Sequence, residues 1–107
     1  MGGRARSKRS SERAAAIAAR KLVRDRERLA RLAEGGSPER PIVVVSPAEV
    51  EVAAAATPCP LCGASLRVLD HEAIVVDGER LRVARTICLS CRAERSTFFA
   101  LRPIAVH

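Results

Sequence analysis

Aromatic side chains are almost missing from this sequence: 107 residues contain no Trp, no Tyr and only two Phe. That scarcity excludes a large aromatic core, and it argues against reading single strands by base stacking. Long apolar runs are missing too. Ile42–Val45 is soon followed by Pro47, Glu49 and Glu51, far short of the ~20 apolar residues of a membrane span. Ala14–Ala19 is too short for the apolar stretch of a secretory signal, and Arg20-Lys21 interrupts it. The Arg-rich start resembles an organellar transit peptide, but Asp25, Glu27 and Glu34 lie within it. A cytoplasmic location is therefore expected, and in a reducing compartment paired cysteines favour a metal over disulfides.

What is present is small and weakly apolar. Nineteen residues are Ala, which bury little area at about 25 cal/mol per Å² of apolar surface. A chain of this size holds one small domain and a tail, and such domains usually need a disulfide or metal staple. Charge is uneven. Residues 1–40 hold twelve Lys/Arg against five Asp/Glu, whereas residues 41–107 hold seven against seven, so the net charge of +7 lies wholly in the first part. Such asymmetry points to a basic arm for a polyanion, or to an arm that merely keeps the protein soluble.

The chain divides at its punctuation. Residues 1–10, with Gly2, Gly3, Ser7 and Ser10 among basic residues, read as a disordered tail. A basic α-helix is expected over 11–34, capped by Ser10 or Ser11 and stopped by Gly35-Gly36-Ser37-Pro38. Ala15, Ala18, Leu22, Leu29 and Leu32 form a narrow apolar stripe, interrupted by Asp25. Residues 35–49 read as a linker, with Ile42–Val45 extended. Ser46-Pro47-Ala48-Glu49 has the layout of a helix-starting capping box, whereas Val50-Glu51-Val52 alternates like a strand. A strand over 50–56 is the preferred reading, with a helix as the alternative.

All four cysteines belong to one pattern, Cys59-Pro60-Leu61-Cys62-Gly63 and Cys88-Leu89-Ser90-Cys91, with 25 residues between Cys62 and Cys88. Two residues between cysteines let one tight turn present both thiolates to one ion, and two such turns complete a tetrahedron. Pro60 fixes φ in the first turn, and Gly63 permits positive φ just after it. The second turn has Arg92-Ala93 instead, so it is expected to be the less ideal half. Between the pairs, Leu66, Val68 and Ile74–Val76 are strand-like, Asp77-Gly78 signals a hairpin, and Leu81, Val83 and Ile87 share a face. Phe98–Leu101 forms a last strand closed by Pro103, and its two Phe are expected to supply most of the core.

This CPxCG…CxxC arrangement with intervening strands resembles a zinc ribbon, over roughly Pro58 to Leu101. That fold group occurs in transcription and translation factors, in ribosomal proteins and as a structural module of enzymes. The resemblance implies a small antiparallel β-rich domain, placed here at residues 50–107, and makes Cys59, Cys62, Cys88 and Cys91 ligands of one structural Zn²⁺. It is nearly silent on function. Rubredoxin-like iron uses the same ligand set but packs aromatics around it. A redox dithiol would need a βαβ context, and two disulfides would need export.

Four thiolates close the shell, so no catalytic residue and no small-molecule substrate are expected. His71 reads as a surface or strand-edge residue, or otherwise as an outer contact to the ion or to nucleic acid. Asp70, Glu72, Asp77 and Glu79 read as turn charges. Two functions fit. In the first, the arm binds nucleic acid non-specifically through Arg4, Arg6, Lys8, Arg9, Arg13, Arg20, Lys21, Arg24, Arg28 and Arg31, with Arg67, Arg80 and Arg82 as a second set. Seventeen of the 19 basic residues are Arg, which suits bidentate phosphate contacts, although a GC-rich genome also favours Arg and Ala. In the second, the ribbon and helix form a protein–protein adaptor, with Ala15, Leu22, Leu29 and Leu32 as the anchoring face.

Overall fold

The structure is a computed structural model that describes residues 2–102, with side chains from Lys8 onward. Two helices and four strands follow in the order α1 (Gly2–Leu32), β1 (Ile42–Val44), α2 (Ala48–Ala56), β2 (Leu66–Val76), β3 (Glu79–Cys88) and β4 (Glu94–Leu101). The strands form one sheet in the order β1-β4-β3-β2. All neighbours are antiparallel except β1 and β4, which run parallel.

α1 is longer than the sequence reading. It begins at Gly2, so Ser10 and Ser11 lie inside the helix and neither caps it. Ala and Arg are strong helix formers, and from Arg4 to Lys8 no Gly or Pro interrupts them. The stop falls where expected. Gly35 takes φ +83°, and the Gly36 N–H returns to the Ala33 carbonyl at 3.0 Å. The Arg40 guanidinium donates to the Leu32 carbonyl at 3.1 Å, closing the helix end. Pro103 and His107 lie outside the described residues.

Residues 35–49, read as a linker, are tied into the sheet. Gly35 is buried, its carbonyl accepts the Phe98 N–H at 2.8 Å, and β1 pairs with β4 from Ile42↔Phe99 to Val44↔Leu101.

The strand preferred over residues 50–56 is instead helix α2. Pro47 has φ −58° and ψ −30°, already helical, and Glu49 accepts the Val45 N–H at 2.6 Å. This is a displaced version of the capping box, since the carboxylate reaches one residue before Ser46. Packing explains why the alternation lost. Val50 and Ala54, four residues apart, are both fully buried, whereas Val52 is 71% exposed. A strand would have put Val50 and Val52 on one face. Thr57, held extended before Pro58, ends the helix, and its hydroxyl donates to the Ala53 carbonyl at 3.1 Å.

The hairpin matches its sequence signal. Asp77 and Gly78 both take positive φ, +50° and +80°, as a type I′ loop requires. Leu69 is an extra residue between the pairs Val68↔Thr86 and Asp70↔Arg85, a bulge that shifts the pleat of β2. At that bulge the Arg85 Nε donates to both Asp70 carboxylate oxygens, at 3.1 and 2.9 Å.

The main core lies between α2 and one face of the sheet. It holds Val44, Val50, Ala54, Ala84 and Phe99. Of the two Phe, only Phe99 belongs to it. Phe98 pairs with Val83, so pleating turns it to the opposite face, where it is half-buried. Leu81 and Val83 share that opposite face and are buried, and Ile87 is half-buried. A second, smaller core contains Cys59, Leu66 and Cys88, which places the cysteine turns at the sheet end away from the hairpin.

Candidate metal centre

Both cysteine turns are built alike. In the first, the Cys59 N–H donates to the Ala64 carbonyl at 2.9 Å and the Gly63 N–H to the Cys59 carbonyl at 2.7 Å. In the second, the Cys88 N–H donates to the Ala93 carbonyl at 2.9 Å and the Arg92 N–H to the Cys88 carbonyl at 3.1 Å. Gly63 and Arg92 hold the same place in each, with φ +77° and +65°. The second turn therefore reaches the geometry of the first through an Arg in left-handed backbone, at roughly 1–2 kcal/mol. The Leu89 N–H to Ser65 carbonyl bond, 3.1 Å, joins the two turns.

The turns converge. The four Sγ atoms lie within 4.8 Å of one another, with Cys62 and Cys88 at 3.4 Å and Cys59 and Cys91 at 3.8 Å. All four are free thiols. Those separations far exceed a disulfide bond of about 2.05 Å. They match the edge of a tetrahedron of sulfurs about 2.3 Å from a central ion, which is near 3.8 Å. The donor set fits a soft or borderline divalent cation. Cys59 and Cys88 are buried beneath the sheet end, and Cys62 and Cys91 face outward.

Electrostatics already separates the sulfurs. The Cys91 N–H, 3.4 Å from the Cys88 sulfur, lowers that thiol to about 6 against the opposing effect of burial. The Ser90 N–H adds to this, also at 3.4 Å. Cys91 is pushed up to about 11: the Ala93 N–H favours its thiolate, but burial and the neighbouring sulfurs outweigh it.

The other residues singled out in the sequence scatter. His71 is not at the cysteines; it lies on the edge strand β2, as one reading had it, but its side chain is only 11% exposed. It lies beneath α2, with Nδ1 3.8 Å from a Glu51 oxygen and Nε2 3.4 Å from an Arg82 nitrogen. Asp70 and Glu79 are paired with Arg85 and Arg102. The Arg85 guanidinium bound to Asp70 holds that carboxyl below its ordinary value. Arg80 and Arg82 share one sheet face, while Arg67 opposes Ile87 and lies on the other, so the three do not form one contact set.

The basic residues of α1 behave differently. Lys8, Arg9, Arg13, Arg20, Lys21, Arg24, Arg28 and Arg31 are all exposed, and none is in a salt bridge among the described residues. At 100° per residue, Arg9, Arg13, Arg20, Lys21, Arg24, Arg28 and Arg31 fall within about a third of the circumference. Arg26 lies elsewhere on the helix and donates to the Leu61 carbonyl at 2.5 Å, so it anchors α1 to the first cysteine turn. The sequence reading missed that contact, which joins residues 35 apart. The side chains of Arg4 and Arg6 lie outside the described residues.

Compared with family models, curated proteins and solved structures, the chain matches none. The candidate site therefore stands on its geometry: four cysteines able to hold one metal ion, at the end of a β-rich fold that carries a basic helix. No helix among the described residues is long and apolar enough to cross a membrane.

Proposed function

We propose that Cys59, Cys62, Cys88 and Cys91 hold one structural Zn²⁺ and that the chain is a non-catalytic, cytoplasmic protein that binds nucleic acid through α1. Zinc supplies a closed tetrahedral crosslink and no redox chemistry of its own. The residues around it support that role. Leu66 and Leu61 pack against the buried sulfurs, and the backbone turns fix each ligand. With four protein sulfurs in the shell, no position is left for a substrate.

The observation that carries nucleic acid as partner is the cationic stripe of α1. Cations three and four residues apart repel along a helix and destabilise it by a few tenths of a kcal/mol per pair. A line of phosphates removes that repulsion and releases counterions, without reading bases. The test is titration of random duplex DNA and RNA with the full chain at several salt concentrations. Binding should weaken steeply with salt, with a log–log slope of about −0.9 per phosphate contacted on duplex DNA. The combined variant Arg20→Glu, Arg24→Glu, Arg28→Glu should abolish binding while zinc content stays unchanged. Binding that survives it overturns this reading.

A second reading rests on a separate observation. Leu22, Leu29 and Leu32 are 50%, 66% and 58% exposed, and together with Ala15 they form an apolar line beside the cations. A protein groove would cover that line. In that case Leu22→Ala with Leu29→Ala would remove partner capture, and nuclease treatment would not.

A further inference from the structure

One buried group finds no partner. Arg95 pairs across the sheet with Thr86. Pleating places its side chain on the face shared by Thr86, Cys88 and Leu66. Its Nε is sealed from solvent and meets no hydrogen-bond acceptor among the described residues. Leaving a buried donor unmade costs about 1–3 kcal/mol, and more when it is charged. Arg95 also lines a 380 Å³ cleft with Cys59, and Glu27, Ala30 and Arg31 of α1 form its other wall. A guanidinium stays in such a place when something nearby compensates it.

We propose that Arg95 is the outer counter-cation of the cysteine centre, with its guanidinium facing the Cys59 side of the cluster. The inference rests on the zinc reading above. Four thiolates around a divalent ion leave a net double negative charge, and a half-buried site screens it poorly. Groups just outside the ligands tune metal affinity by orienting and neutralising them. Arg95 and Cys59 line the same cleft, so the guanidinium has the cluster as its neighbouring negative charge. A free anion in the cleft is the competing explanation, and Arg31 lines the cleft too, but Cys59, Glu27 and Glu94 line it as well and oppose an anion.

The experiment is zinc affinity of the full chain by chelator competition at one pH, for the parent, Arg95→Lys and Arg95→Met. Arg95→Met keeps the apolar stem and drops the charge, and it should bind zinc about 10-fold more weakly or worse. Arg95→Lys should stay within a few-fold of the parent. In the cobalt-loaded proteins the sulfur-to-metal charge-transfer band should move in Arg95→Met and not in Arg95→Lys. If Arg95→Met does not fold, Arg95→Gln takes its place. A parent that holds zinc and an Arg95→Met that holds it equally well overturn the role of Arg95 alone. Equal losses in both variants overturn it as well, because shape rather than charge would then be at work. A parent without zinc overturns the metal reading and this inference together.

Discussion

Arg92 is where side chain and backbone disagree most openly. It takes the left-handed conformation at φ +65° in a turn whose twin uses Gly63 at +77°. Arg92→Gly should therefore stabilise the metal-loaded protein by about 1 kcal/mol, measured by denaturant unfolding at fixed free metal. The glycines respond in a graded way. A Cβ on Gly63 meets nothing within 4 Å, so Gly63→Ala should cost only its backbone strain, about 1 kcal/mol. A Cβ on Gly35 would come within 2.7 Å of Ile42 and 2.9 Å of Thr97, at φ +83°. Gly35→Ala should cost roughly twice as much or more, because strain and overpacking add. Equal effects at the two glycines would show that Gly35 is not packed against β1.

At the scale of elements, α2 decides the core. Its buried side is Val50 and Ala54, and its outward side includes Val52 at 71% exposure. Val50→Ala should destabilise the protein by about 2 kcal/mol, from two lost carbons plus the cavity they leave. Val52→Ala should change stability by less than about 0.5 kcal/mol. A thermal melt of both variants separates helix from strand, since a strand would make the two losses alike. The preference for a strand failed here for a definite reason. A three-residue alternation is a weak signal, and it competed with Pro47, Glu49 and the Ala run 53–56, which favour a helix that can lie on the sheet.

The whole molecule is elongated. Its radius of gyration is 19.2 Å and its longest extent 80 Å, against about 13 Å expected for a compact chain of this length. The basic helix projects from a small sheet, and the link between them includes Arg26 on the Leu61 carbonyl. Leu61 lies inside the first cysteine turn, so a metal held there would fix this anchor together with the turn. Chelation should therefore do two things, both visible by hydrogen exchange. It should release the amides of 59–64 and 88–93, and it should loosen α1 near Arg26. Cys88→Ser should reproduce both, because binding energy in such a site is largely folding energy. Amides that stay protected after the metal is removed would mean that the sheet holds itself.

The sequence alone determined which four cysteines come together, the hairpin loop, the end of the first helix and the one-sided charge. Each is written in a local pattern: CxxC spacing, Asp77-Gly78, Gly35-Gly36, and a run of Arg. The tertiary structure decided the rest. It turned residues 50–56 into a helix, drew Ile42–Val44 into the sheet as a parallel edge strand, separated Phe98 from Phe99, and set Arg95 in one cleft with Cys59. These outcomes depend on which face meets which, and contacts between residues far apart in the chain leave no periodic trace in the sequence.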